Sequence, residues 1–587
     1  MTKQEILSAL RGGQHDLSLP ADTRQKVLDN AWIKPYLDSV KEAAESFRGK
    51  PIPSIPYSCF KLFHETGDRW MFEDSEVGYF PRRGRLAAFA VLSWLYGREE
   101  DLRELEDTIW AICDEYTWSV AAHLKPDAYT TQLQDEDYMV DLFASETAQA
   151  LSEISFLLGD ALPPIIKKRI DHLVKRRVLD RVLTEEFNWM HAASNWAAVC
   201  AGSVGMAAIY TLRDDEERLA EVLERVWPAF DSFLSSFAED GSCLEGIGYW
   251  NYGFSYYTSF ADLILRRTGG KIDLFTPEKV KKIALFQQKC YFAGGRTVSF
   301  SDGNSRASFA PGLSSYLSRK FDGVIIPPSS CMADFNEDHC HRWSNVLRDL
   351  LWSVDASDTQ DLSGCYPLPS AQWYLCSAAN GVGLAAKAGH NGEPHNHNDV
   401  GNLQIFKNGE EILCDLGSGE YTRQYFSDQR YTFITCGSQG HSVPMIDGYT
   451  QKAGREAAAA DVSVSETGIS MELAPVYELE ALSSLRRRIE FDAETGKTTL
   501  TDRFVFDGGK HKVQERFVTY GNVQVDGALV RLFCGHETMA IHFDAKRFTP
   551  VITPMEYSAH FGVHKHFFVV DFVAEMEGDT EVSFVIE

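Results

Sequence analysis

The hydrophobic period of this chain changes near residue 375, and that change limits the folds open to it. Before it, apolar residues recur at helical spacing. "DLFASETAQALSEISFLLGD" puts Phe143, Thr147, Leu151, Ile154 and Leu158 on one stripe, and Gly159 suits a helix stop. "RLAAFAVLSWLYG", "NWAAVCAGSVGMAAIYTL" and "EERLAEVLERVWPAFDSFLSSF" read as further helices. Runs of helices with short turns and hardly any strand pattern predict an all-α domain over 1–350. "DASDTQDLSGCYPLPS" is rich in turn residues and predicts a connector over 351–374. Over 375–587 the apolar residues alternate. "NLQIFKNGEEILCDLG" turns at Asn408-Gly409 between two alternating runs, the strongest short hairpin signal. "SLRRRIEFDAETGKTTLTDRFVFD" predicts a second hairpin, and the whole segment an antiparallel β-sandwich.

A chain of 587 residues is long enough for two or more domains, each with its own core. Its formal net charge of −27 argues against general nucleic-acid binding, which needs a basic field. An anionic ligand is still admitted, because a local Arg/Lys pocket can oppose the global field. No apolar run is long enough to span a bilayer, and "MTKQEILSALRGGQHDLS" has no apolar signal core. Twelve cysteines are scattered with no CxxC, which reads as reduced, buried thiols and a cytoplasmic location.

"HNGEPHNHNDVG" places three histidines within eight residues (His390, His395 and His397) just before a predicted strand. A two-residue turn at Asn408-Gly409 sets Asn402 opposite Asp415, which brings His397 close to Asp415. "SQGHSVP" adds His441. Two imidazoles and one carboxylate with an open fourth position suit zinc. In an extended segment His395 points away from His397, free as a base beside the metal ligands. "DHCHRW" offers an incomplete ligand set and reads as structural. Asn195 opens an apolar helix, where a cap or core amide is the ordinary reading. In "EDGSCLEGIGYWNYGFSYY" most aromatics read as core. Gly246 and Gly248 are poor helix formers and let the backbone bend Tyr249 into a cleft.

"HNHNDVGNLQIFKNGEEILCDLGSGEYT", "GHSVP", "SNWAAV" and "EGIGYWNYG" most specifically resemble the heparinase II/III-type polysaccharide lyases. The resemblance covers nearly the whole length. It implies an N-terminal (α/α) toroid of helical hairpins followed by a C-terminal antiparallel β-sandwich. It also implies cleavage of uronic-acid-containing glycans by β-elimination, leaving 4,5-unsaturated uronates. Tyr249 then resembles the catalytic tyrosine, His395 the catalytic histidine at the domain interface, and Asn195 the residue that neutralises the uronate carboxylate. Some members place a histidine beside or instead of that asparagine; here Trp196 follows it, and His191 lies a helical turn earlier. His397, Asp415 and His441 resemble the ligands of one structural zinc ion. Tyr425 resembles a substrate-contacting tyrosine, and His191, Trp250, Arg423 and Arg430 complete the expected substrate-binding set.

Two other classes remain open. A glycoside hydrolase on uronyl oligosaccharides needs two facing carboxyls, for which Asp141, Glu146, Asp240 and Glu245 are candidates. A non-catalytic glycan-binding protein needs only an aromatic groove. Sulfate recognition needs clustered Arg/Lys, for which Arg82, Arg83, Arg85 and Lys125 are candidates. The expected partner is an anionic oligosaccharide or polysaccharide. Nucleic acid and membrane are excluded, and a homodimer is admitted.

Overall fold

The computed structural model describes residues 1–587 except 14–15, 68, 70–77, 126–131, 135–136, 355–360 and 394, and the side chain of residue 561. Its contacts divide it into two compact units that are discontinuous in sequence. One is Met1–Ser236, Asn251–Lys281 and Ser308–Asp358; the other is Phe237–Trp250, Lys282–Ala307 and Thr359–Glu587. The linear division at 350 and 375 therefore differs from the packing at two inserts. The reason lies in the second of them. Tyr291–Phe292 and Arg296–Thr297 form a short antiparallel ladder. Phe292 stacks on Phe406 at 4.3 Å, and Arg296 bonds Glu411 at 2.8 Å. These residues join the sheet unit although helices flank them in sequence.

The first unit is helical. Asp141 caps the helix Leu142–Leu158 by accepting from the Ala144 amide, and Gly159 ends it at φ 53°. The helix Asn195–Thr211 packs against Leu142–Leu158 and against Glu216–Ser235. Both Leu142–Leu158 and Asn195–Thr211 are buried nearly all round, the signature of inner helices enclosed by others. Glycine is required for that closeness. A Cβ on Gly205 would sit 2.5 Å from the Phe260 ring, and one on Gly202 would sit 2.9 Å from the Tyr256 carbonyl oxygen.

The second unit contains antiparallel sheets of eight, five and four strands. Leu384 and Ile405 of the five-stranded sheet, Ile489 and Phe504 of the eight-stranded sheet, and Phe517 and Phe572 of the four-stranded sheet share one core. The five-stranded sheet runs Gly364–Leu368, Trp373–Ser377, Val382–Lys387, Leu403–Lys407 and Glu410–Leu413. Strands thus begin at Gly364, inside the predicted connector, whose residues 355–360 lie outside the described ones. Cys365 and Cys376 stand directly opposite on the first two strands and form a disulfide. That pairing corrects the expectation of reduced thiols throughout. It needs the two strands in register, which spacing in the sequence does not reveal. The Asn408-Gly409 turn and the Leu482–Asp492/Lys497–Phe506 hairpin form as expected. Among the described residues no helix is long and apolar enough to cross a membrane.

Candidate active site

The sheet unit gathers the motifs around one carboxylate that sequence reading missed. Asp302 follows the short ladder in the turn "SDGN", and its side chain is fully buried. It accepts from His395 Nδ1 at 2.8 Å, His397 Nε2 at 3.0 Å, Tyr421 at 3.1 Å and Tyr425 at 2.5 Å. Arg430 Nη2 reaches both of its oxygens at 3.1 Å. Burial alone would raise this carboxyl, but the two imidazoles and the guanidinium outweigh it and hold Asp302 well below the usual carboxylate range. The only sequence signal was an Asp-Gly turn, which is common in loops.

His395 and His397 do not point apart. His395 is in the left-handed region at φ 53°, so the segment is not extended and both rings meet the same carboxylate. His395 stacks on Tyr249, with centroids 4.6 Å apart. The Tyr249 hydroxyl lies 3.4 Å from His395 Nδ1 and 3.4 Å from the Tyr421 hydroxyl. Gly246, at φ 97°, turns the chain into the helix Ile247–Arg267, and Tyr249 sits in its first turn. Burial pushes the Tyr249 phenol well above its ordinary range, against the bond from Tyr421. Tyr249 therefore keeps its proton at neutral pH. Because a carboxylate only accepts, His395 Nδ1 donates to Asp302, and Nε2 is the ring nitrogen outside that bond. Phe426, 52% exposed, packs edge-on to Tyr421 at 4.9 Å.

The expected metal ligands also converge. Ligand atoms of His397, Asp415 and His441 lie within 4.8 Å of one another, and all three residues are buried. A one-residue bulge at Ile405/Phe406 shifts the hairpin register, yet Asn402 still donates to Asp415 at 2.9 Å. His397 Nε2 is committed to Asp302 and His441 Nε2 to the Thr435 carbonyl. Each acceptor takes up Nε2, so Nδ1 is the nitrogen of each ring turned toward Asp415, at 3.9 and 3.3 Å. His397 Nδ1 is buried with no hydrogen-bond partner. Such a set fits a zinc-like cation. Asp302, His397 and Cys436 form another close group, but Asp302 is saturated by its donors.

Other expected residues fall elsewhere. Trp250 is fully buried and donates to the Ile283 carbonyl, so it is core and not a ligand contact. Tyr425 is fully buried behind Asp302; Tyr421, four residues earlier, takes the place beside Tyr249. Arg430 is spent on Asp302 and on the carbonyls of His395 and Asn396, which makes it a scaffold for the loop. Arg423 is exposed. Asn195 and His191 belong to the helical unit. Asn195 is buried at the first position of its helix, after Ser194, and exposed His191 bonds Glu186. In the same unit Tyr252 bonds Glu146, and Tyr256 and Tyr257 are fully buried.

The basic run is consumed internally. Arg82 and Arg83 bond Glu115, Arg85 bonds Glu104, and Lys125 pairs with Glu185. Three of the four acids put forward for hydrolysis are engaged; the fourth, Glu245, is half-buried, and burial raises its carboxyl against the opposing charge of His395. Asp141 caps a helix, Glu146 binds Arg342, and Asp240 accepts from the Ser370 and Ala371 amides. Asp338 is tied to Arg342, in keeping with a structural "DHCHRW".

No family model and no curated protein sequence matches this chain. Solved structures do. Heparinase III aligns with a TM-score of 0.61 at 12% identity, over 96% of this chain and 93% of that one. The fold is that of the heparinase-like polysaccharide lyases. A heparan sulfate lyase from Pedobacter heparinus aligns at 0.58 and 14% identity, over 100% and 92% of the two chains. A chondroitin AC lyase from Streptomyces coelicolor A3, in complex with chondroitin sulphate, aligns at 0.52 and 10%, over 100% and 82%. This likeness establishes the fold class, an (α/α) toroid followed by antiparallel β-sheets.

Proposed function

We propose that this protein is a lyase that cleaves uronic-acid-containing glycans by β-elimination. The observation that carries the reading is the stacking of Tyr249 on His395, 146 residues away in sequence, with His395 Nδ1 bonded to a buried carboxylate. The C5 proton of a uronate is only weakly acidic, so the reaction needs a placed base and an acid for the departing O4. His395, oriented by its Nδ1 bond to Asp302, presents Nε2 for the first task. Tyr249, kept neutral by burial, suits the second. Asn195 is assigned to neutralise the uronate carboxylate, the usual electrostatic route to an enolate-like transition state. Phe426 and Tyr421 offer aromatic surface for a sugar ring. The structural neighbours named for heparan sulfate and chondroitin lyases point to a glycosaminoglycan-type substrate.

Hydrolysis is less well served. Asp302 is the carboxylate nearest His395 and Tyr249 in bonding terms, and its oxygens are already occupied by five donors. It is therefore a poor nucleophile or base. The test is a panel of uronate glycans followed by ultraviolet absorbance and mass spectrometry. New absorbance with an unsaturated product is expected. Cleavage without a new double bond indicates a hydrolase, and binding without turnover a glycan-binding protein.

His397, Asp415 and His441 are assigned as ligands of one zinc ion, which would brace the segment carrying His395 and hold the ligand imidazoles in place. Protein purified without added metal is expected to contain about one zinc per chain by elemental analysis. His441→Ala is expected to remove it and lower the melting temperature. Absence of metal from folded wild-type protein would overturn the assignment.

A further inference from the structure

The segment that carries His395 is held in an unfavourable shape. A non-glycine residue at positive φ is uncommon and persists only where its surroundings over-determine it. Arg430 grips the middle of the segment through the His395 and Asn396 carbonyls. Its two ends converge on another cation. Lys387 is the last residue of the strand Val382–Lys387 and is fully buried. Its Nζ lies 2.8 Å from Asp399 Oδ1 and 3.6 Å from Glu393 Oε2. Glu393 and Asp399 bracket His395 and His397 in sequence, and both are buried.

The backbone repeats the link. The Gly401 amide donates to the Lys387 carbonyl at 3.1 Å, and the Lys387 amide to the Asn402 carbonyl at 3.1 Å. The ammonium also lies 5.8 Å from the ring of Phe300, two residues before Asp302. One lysine thus pairs with both ends of the histidine segment and lies near the stretch that carries its carboxylate partner. Asp399 Oδ2 and Glu393 Oε2 have no hydrogen-bond partner, so without the ammonium two buried acids would face each other with nothing to join them.

We infer that Lys387 is a positioning residue: its ammonium clamps the Glu393 and Asp399 ends of the segment and so fixes the His395 imidazole against Asp302 and Tyr249. The catalytic consequence rests on the lyase reading; the clamp itself does not. Lysine suits the task because a single compact ammonium can hydrogen-bond one carboxylate, Asp399, while forming an ion pair with a second, Glu393, that approaches from another direction.

The test combines amide exchange with kinetics on the full-length, metal-loaded protein. In Lys387→Met, exchange of the peptide covering 393–399 is expected to accelerate about tenfold or more, while the strand Leu482–Asp492 stays protected. The kcat is expected to fall about a hundredfold, with KM changed less than about threefold. In a His395→Ala background the same substitution should cost less than about threefold, because the group it positions is gone. Lys387→Arg should recover part of kcat. Glu393→Gln, which keeps the Lys387–Asp399 pair, is the milder variant if Lys387→Met does not fold. It should loosen the segment and lower kcat about tenfold.

Unchanged exchange over 393–399 in a folded variant overturns the clamp. An equal loss of kcat with and without His395 overturns the positioning role and leaves a general structural one. Localised loosening in a protein that eliminates no uronate glycan keeps the clamp and removes the lyase reading.

Discussion

Tyr249→Phe is expected to lower kcat by about a hundredfold or more, the usual scale for losing a general acid. The substitution removes one oxygen. The hydroxyl's partners are His395 and Tyr421 at 3.4 Å each, and neither loses its stronger bond to Asp302, so folding and substrate binding should be retained. His395→Ala should cost at least as much if it removes the base. Asn195→Ala should damage the same step by leaving the uronate charge uncompensated. The measurement is steady-state ultraviolet kinetics on the best substrate, with melting curves as the folding control. Near wild-type turnover in Tyr249→Phe would move the acid role to Tyr421, whose hydroxyl lies beside that of Tyr249. Tyr252, Tyr256 and Tyr257 do not qualify, because they are bonded or buried within the helical unit. The phenol is raised above its ordinary range, so activity should show no alkaline loss from Tyr249 ionisation between neutral pH and pH 9.

Asp302→Asn is expected to be at least as severe, lowering kcat by about a thousandfold to ten-thousandfold, the upper figure being the loss when the carboxylate behind a catalytic histidine is neutralised. An amide in that position presents a donor to one of two histidines that need an acceptor. His395 would lose the bond that orients its ring. His397 would lose the acceptor that turns its Nδ1 toward Asp415, so affinity for the proposed zinc should fall by about 10–100-fold as well. Kinetics at saturating zinc separate the two effects. If added metal restores full activity, Asp302 serves the metal alone. The same substitution has a signature in stability. The folded-state carboxyl is depressed, so its contribution is complete above the ordinary carboxylate range and is lost as pH falls below it. Wild type should therefore lose stability more steeply than Asp302→Asn on acidification from about pH 5.

Local chemistry was readable in the sequence because it is written at short range. Helical spacing in "DLFASETAQALSEISFLLGD", the Asn408-Gly409 turn and the alternation around it depend on neighbours a few residues apart. They determined the helix Leu142–Leu158, the hairpin, and the class of fold. The histidine-rich segment and His441 were recognisable by residue type, and the hairpin turn was enough to bring Asp415 toward them even though a bulge shifts the register. Residues that act through distant partners were not readable. Asp302 is an unremarked acid in a turn until packing sets it under two histidines, two tyrosines and an arginine. Trp250 and Tyr425 look like Tyr249 and Tyr421 in composition, and only burial separates core ring from site ring. Cys365 and Cys376 pair because two strands align. The division into units places Tyr249 with the sheets, and Phe292 stacking on Phe406 with Arg296 binding Glu411 draws the 282–307 stretch there too. The sequence by itself determined which elements form and which side chains carry chemistry, since those follow from local sterics and hydrophobic period. Only the tertiary structure decided which of those side chains meet, because that depends on contacts far beyond the reach of local pattern, 93 positions for Asp302 and His395 and 146 for Tyr249 and His395.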